Sequence, residues 1–319
     1  MKNWFITFAR QPMRFLWPSN TVTRSAPHIR DRNNIQYMWN TFVVASLPVW
    51  LIGLWALGHQ TNLALIDFHI EEVAGWRGWF LTHSGIGFDP SNIAACFMLG
   101  LLYFVPILVV ALLAGAFWES VFASVRKKPL DEGLLAIAWL FSLMLPATVP
   151  MYQVALGMSF GIVFGKLIYG GSGRYLLSPA LLGMAFLVFS YPTLFYGEGV
   201  RVPLEGYDQP TVLELVTDEG GLGVVAAVDY SFWQLFLGNK PGAVGVVSTL
   251  GALLGALFLI FKGVASWRLI LGSLLGFIGV AVLSNALAPD HYLFSIPWYW
   301  HMVMGGFIFG TVFIATDPV

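Results

Sequence analysis

Apolar residues run along this chain in long windows separated by short polar stretches. The windows fall at about 38–58, 93–117, 133–149, 151–169, 178–196, 242–262, 267–288 and 299–316, most of them close to the ~20 residues that carry a helix across about 30 Å of hydrocarbon. They do not alternate as barrel strands do, and a chain in the bilayer core must satisfy its peptide groups as helix or closed barrel. The pattern predicts an all-α, polytopic membrane protein with eight visible transmembrane helices. Composition agrees: of 319 residues, 57% are hydrophobic and 10% charged, against about 25% charged in ordinary soluble domains. The opening "MKNWFITFARQPMRFLWPSN" lacks the apolar core and small-residue cleavage site of a signal peptide. Residues 1–37 are expected to lie on the membrane as an amphipathic cytoplasmic segment. The single cysteine, Cys96, falls in the second window, where packing is its ordinary use, and one thiol allows no disulfide within the chain.

Charge orients these spans. With a cytoplasmic N-terminus, only Arg77, Arg201 and Lys240 of the 16 lysines and arginines fall outside, so the positive-inside rule fixes the topology in a bacterial inner membrane. Most acids lie on the outer side, including several in the outer loop 197–241. This loop separates a first membrane unit, 38–196, from a second, 242–319.

The two units share a short signature. "LPATVP" (145–150) closes the third window and "IATDPV" (314–319) closes the eighth, on opposite sides of the membrane by this topology. An inverted repeat of five spans produces that arrangement, because an odd number of crossings reverses the second copy, as in many transporters. A repeat of five plus five also predicts ten spans, two beyond the visible eight, and hence a truncated second unit. A natural eight-helix protein is the alternative.

The strongest local signal is "YGGSGRYLLSPALLGMAF" (169–186). Gly170, Gly171 and Gly173 open backbone conformations closed to other residues, and Ser178 followed by Pro179 is suited to start a helix. A helix N-terminus near the inner face presents free amides to a phosphate, a carbonyl or an electron-rich ring; a tight turn capped by Ser178 is the structural alternative. Few charges fall within the windows or at their ends. Glu119 and Lys166 lie near inner ends, where snorkelling is inexpensive, as does Asp317, and Glu119 is a candidate for an ion path. The six histidines are scattered without metal-ligand spacing. No metal site is argued, and no phosphate loop, dinucleotide fingerprint or nucleic-acid motif is present.

A set of segments in order carries a resemblance: "APHIRDRNN", "GAFWESVFASVRKKPLDEG", "YGGSGRYLLSPALLGMAFLVFSYP", "GNKPGAVGVVSTL", "GVASWRLILG", "PWYWHMVMGGFIFG" and "ATDPV". Through them the chain resembles the NqrB/RnfD family, the B subunits of the sodium-translocating NADH:quinone oxidoreductase and the D subunits of the Rnf complex, over nearly its whole length from Arg24. The runs "GVASWR" and "FWE" favour the Nqr branch. Family members have ten spans in an inverted five-plus-five repeat.

The resemblance implies an electron-carrying membrane subunit that works with other Nqr- or Rnf-type subunits and is not catalytic alone. FMN would be esterified through its phosphate to Thr211, riboflavin would bind nearer the inner side against Gly170, Gly171, Gly173, Arg174, Ser178 and Pro179, Phe186 would pack against flavin or quinone, and ubiquinone would be reduced near Gly115 and Ala116. Na+ would cross with the electrons, with Glu119 on its path. The chain departs from the family at several of these places. The attachment sequence Asp-Gly-Tyr-Ser-Gly-Ala-Thr is "EGYDQPT" here; Pro210 removes an amide and restricts Gln209, and Asp208 adds negative charge beside an incoming phosphate, so both oppose modification. The usual Gly-Gly before Phe-Trp-Glu is Gly115-Ala116, the usual Asn-Phe-Leu-Asn-Pro is "YLLSP", and Met184 replaces an arginine. Two readings stand: a redox subunit, or a flavin-free paralogue acting as a channel, transporter or membrane scaffold.

Overall fold

In the computed structural model the described residues are 34–70, 72–127, 130–195, 202–204, 211–219, 222–227, 230–287, 294 and 296–317. All regular structure among them is helical. Most of the N-terminal segment, and residues 205–210 with Asp208 and Pro210, lie outside them.

Helix α1 runs Ile35–Asp67, capped where the Asn34 carboxamide accepts the Tyr37 amide at 2.7 Å. A short helix α2, Trp76–His83, follows, then α3, Ile93–Arg126. At 33 and 34 residues, α1 and α3 far exceed what a bilayer core requires. With Trp267–Leu287 they are the three described helices long and apolar enough to cross a membrane. They pack closely because Gly58 of α1 lies against the Cys96 backbone of α3 and Gly100 of α3 against the Leu54 backbone of α1, a small-residue contact of the kind that joins helices in lipid.

The window at 133–149, expected to be one spanning helix, is broken. Helix α4, Leu134–Met144, has 11 residues, or about 16 Å of rise, and gives way to an irregular stretch through Pro150 before α5, Met151–Ile162. Pro146 has no amide and restricts Leu145 to extended backbone, which is where Leu145 sits, at ψ 143°. The break is enclosed by protein: Leu143, Leu145, Ala147 and Val149 are buried, and the carbonyl of Leu143 accepts the amide of Gly245 at 2.7 Å. Irregular backbone at membrane depth requires this kind of internal satisfaction.

Helix α5 passes into a π turn at Val163–Leu167, the glycine-rich loop follows, and α6 covers Pro179–Ser190. The loop at 197–241 is helical in part, with α7 at Val212–Glu219, α8 at Leu222–Ala227 and α9 at Phe232–Leu237. Helix α10 is Thr249–Phe261 and α11 is Trp267–Leu287. The last window, 299–316, is also broken: α12, Trp298–Met304, ends at Gly305 and Gly306, and α13, Phe307–Phe309, continues into a π turn at Gly310–Ile314.

One large core joins α1, α3, α4, α5, α6 and α10. A smaller one places Val212, Val216, Val225 and Leu235 of that loop against Val303 and Met304 of α12. Helix α11 is different, with Ile270 its one buried residue. Its outward leucines and valines are suited to lipid or to another apolar chain.

Candidate functional site

Two cavities lie toward the opposite ends of α4. The first, of about 380 Å³, is lined by Glu119, Arg126, Asp131, Gly170, Gly171 and Ser172, among others. Glu119 lines it, and its carboxylate is paired with Lys166. The sequence suggests snorkelling side chains; the structure buries both, at 2% and 0% exposure, and joins them at 2.6 Å. The reason is local. Wider helical spacing at Val163–Leu167 carries Lys166 inward, and such π turns recur at functional sites. The Lys166 ammonium donates to Glu119 Oε1 and, at 2.8 Å, to the Glu132 carbonyl, and stands 3.4 Å from Asp131 Oδ2.

The glycine-rich loop closes this cavity. Gly170, Gly171 and Gly173 all have positive φ, at 113°, 110° and 83°. The turn brings the Ser172 amide to Asp131 Oδ2 at 2.5 Å and the Ser172 hydroxyl to the Glu132 carbonyl at 2.6 Å. A Cβ on Gly171 would collide with the Asp131 carboxylate, so that position needs glycine for space as well as for φ. Arg126 Nη1 donates to the Leu167 carbonyl at 2.7 Å, tying the end of α3 to the same turn. The Tyr175 hydroxyl donates to Asp317 at 3.2 Å, which links the loop to the far end of the last helix. Burial and the neighbouring carboxylate push the Tyr175 phenol well above its usual range.

Of the residues expected here, Glu119, Gly170 and Gly171 share the cavity. Gly173 and Arg174 are exposed beside it. Pro179 is the first residue of α6, as its chemistry suggests. Ser178 precedes it, but its hydroxyl makes no capping hydrogen bond; its backbone, at φ −56° and ψ 121°, is less extended than the usual cap that aims an oxygen at the following amides. Phe186 stacks on Phe160 at 4.4 Å and 15°. Gly115 lies one turn before Glu119 on α3, packed against Leu134 and Met158, and Ala116 is half-buried beside it.

The second cavity, about 230 Å³, lies where both broken helices meet. Met144 and Pro146 border it from one, Gly305 and Gly306 from the other, and Thr211 and Lys240 complete it. Thr211 precedes α7. Its amide and hydroxyl donate to Glu214 Oε2 at 2.7 and 2.9 Å, and its oxygen accepts the Glu214 amide at 3.2 Å. This is a reciprocal capping box. Thr211→Val breaks it, with an expected cost of about 1 kcal/mol. The measurement is amide hydrogen exchange, expected to accelerate over residues 211–219 and to stay unchanged in α3 and α5.

Asp131, Arg126 and Ser172 were not anticipated as site residues. Asp131 and Glu132 were visible as an acid pair separated by two residues from the basic run 126–128, and the capping box was visible as Thr-x-x-Glu at 211–214. Nothing local marked Lys240 as buried.

Comparison with known proteins adds a history to this geometry. Residues 22–319 match the sequence model of the family described as NQR2, RnfD, RnfE. The chain is 42% identical over 308 residues to the B subunit of the Na(+)-translocating NADH-quinone reductase of Azotobacter vinelandii, covering 96% of this chain and 76% of that one. To the protein of the same name from Chromohalobacter salexigens it is 42% identical over 300 residues, covering 94% and 72%. For Stutzerimonas stutzeri the identity is 40% over 308 residues, covering 96% and 76%.

Proposed function

Because the chain belongs to the NQR2, RnfD, RnfE family, we propose that it is the membrane subunit of an Nqr-type, Na+-translocating NADH–quinone reductase. It would take electrons from partner subunits and deliver them to quinone. The two broken helices are consistent with an inverted repeat: Ala147, Thr148 and Pro150 line a cavity with Arg77, while Asp317 meets Tyr175 beside the glycine-rich loop. The topology from Lys and Arg puts that loop on the cytoplasmic side.

The observation that carries the site assignment is the buried Glu119–Lys166 pair, of which Glu119 lines the 380 Å³ cavity. A cavity of this size suits a ring-sized ligand. Glycine backbone, Arg126 and Asp131 offer donors and acceptors for the carbonyl and N–H edge of a quinone or isoalloxazine ring, so the residues present fit non-covalent riboflavin or a quinone head group. A bound flavin would supply one- and two-electron redox chemistry. The chain's own residues would do the rest: the loop bounds the ring site, Lys166 pairs with Glu119, and Glu119 puts a carboxylate on the cavity wall. Quinone binding at Gly115 and Ala116 belongs to the same proposal, since Gly115 is one helical turn from Glu119.

Glu119→Gln tests the ion-path role. It keeps the side chain's shape and removes the charge, so Na+-stimulated quinone reduction by the assembled complex is expected to fall at least ~10-fold, with the Na+ dependence shifted to higher concentration. Unchanged Na+ dependence removes Glu119 from the path.

Covalent FMN fits less well. Thr211 borders a cavity, but its hydroxyl is engaged by Glu214, whose carboxylate sits 2.9 Å away, where the anionic oxygens of a phosphoester would crowd it. No electron-transfer step is therefore drawn through Thr211. This observation weighs against covalent flavin at Thr211, as the second reading, a flavin-free channel, transporter or scaffold, also expects. Flavin fluorescence of the band on a denaturing gel separates the two states of Thr211. A fluorescent band from cells supplying the flavin transferase, lost in Thr211→Val, establishes attachment; a dark band leaves only non-covalent flavin.

A further inference from the structure

Lys240 lies between α9 and α10 and is 3% exposed. Among the described residues no carboxylate forms an ion pair with it. Its ammonium donates instead to the carbonyls of Val303 and, at 3.3 Å, Met304. These are the last two residues of α12, where the chain leaves helical geometry at Gly305, φ −107° and ψ −170°. Carbonyls at a helix end have no intrahelical partner, and the helix dipole places its negative end there. Both features favour a cation. Gly305 and Gly306 also border the 230 Å³ cavity that Lys240 lines, so the position has room around it.

Burial alone pushes the Lys240 ammonium down to about 7. Hydrogen bonds to two carbonyls and a helix C-terminus favour the charged form and so act in the opposite sense. A buried charge without a countercharge is costly, and ordinary packing at this position would be served as well by methionine or leucine. In transporters, unwound backbone and half-helix ends coordinate mobile cations directly.

We propose that Lys240 is a tethered cation: its ammonium fills, from within the chain, a monovalent-cation position formed by the Val303 and Met304 carbonyls at the break after α12. Removing the ammonium creates a site for a small free cation. While Lys240 is in place, no mobile ion occupies this position, and the broken helix is held to the outer-loop segment. The proposal is independent of the redox reading, since it concerns a charge that holds the fold together whether or not electrons pass.

The test is chemical rescue in the purified full-length protein. Lys240→Ala removes a group equivalent to n-propylammonium. Its melting temperature is expected to fall by several degrees and to recover, saturably, with n-propylammonium or Na+. Neutral n-propanol and bulky tetraethylammonium at matched ionic strength should not restore it, and wild type should respond to none of them. Recovery by n-propanol equal to that by n-propylammonium overturns the proposal, because the side chain is then only filler. A folded K240A that discriminates among none of these additives also overturns it. If K240A does not fold, K240M decides, since it keeps the volume and loses the charge: it must melt below wild type, and equal melting overturns the proposal.

Discussion

Lys166→Met is expected to destabilise the protein by about 3–5 kcal/mol, the usual cost of removing one partner from a buried ion pair. The pair is buried, with Lys166 at 0% and Glu119 at 2% exposure, so water compensates poorly for the lost ammonium. Lys166 also spends its remaining donors on the Glu132 carbonyl and the Asp131 carboxylate, which anchor the glycine-rich loop through Ser172. One substitution thus leaves a buried carboxylate unpaired and loosens the turn. The double variant Glu119→Leu with Lys166→Met removes both charges and should recover a large part of the loss, because apolar replacement of a whole buried pair is often close to neutral. Thermal and denaturant unfolding in detergent measure both. A double variant no more stable than the single would show that the two charges are not energetically coupled.

The second large effect is expected at Gly58. Any Cβ there would fall inside contact distance of the Cys96 carbonyl, which is backbone and cannot swing aside as a side chain would. Gly58→Val must force α1 and α3 apart, and these are two of the three longest apolar helices and pack heavily against each other. Overpacking a core by a methylene or two costs about 1–3 kcal/mol; a backbone collision on the main helix pair should exceed that and abolish monodisperse folded protein. Gly272→Val on α11 is the control, since no atom lies within 4 Å of the added Cβ and exposed substitutions usually stay within about 0.5 kcal/mol. Size-exclusion profiles of the two isolated variants read the difference directly.

Much of the fold was legible in the chain. Apolar windows located α1, α3, α5, α6, α10 and α11 because lipid demands continuous helix with apolar sides, and that demand is written residue by residue. The windows at 133–149 and 299–316 were equally apolar and still misled. Their breaks at Pro146 and at Gly305–Gly306 leave the side-chain pattern unchanged, and hydropathy is blind to whether the backbone between those side chains is wound. The loop at 197–241 was legible as a polar interruption, but its three short helices were not, because their small core is completed by α12, far along the sequence.

The candidate site divides in the same way. Glu119, Gly170 and Gly171 could be picked out locally, one as a rare charge in an apolar run and two as glycines in a turn. That Glu119 is paired was not visible, because its partner is 47 positions away and reaches it only through the π turn. Thr211 drew notice through the surrounding motif, yet its engagement with Glu214 three residues on is a plain sequence signature that a search for chemistry passes over. Lys240 is the opposite case. Its neighbours suggest an exposed loop lysine, and only the folded chain sets it against carbonyls 63 and 64 residues away.

By itself, the sequence determined that this is a helical membrane protein and which glycines and carboxylates could matter, since hydropathy, charge and backbone permissiveness are properties of single residues and their near neighbours. The tertiary structure alone decided which charges are paired, which helices are broken and what closes the breaks. Those outcomes depend on which distant groups share a low-dielectric interior, where an unpaired charge or peptide group is too costly to leave and its partner is chosen by packing.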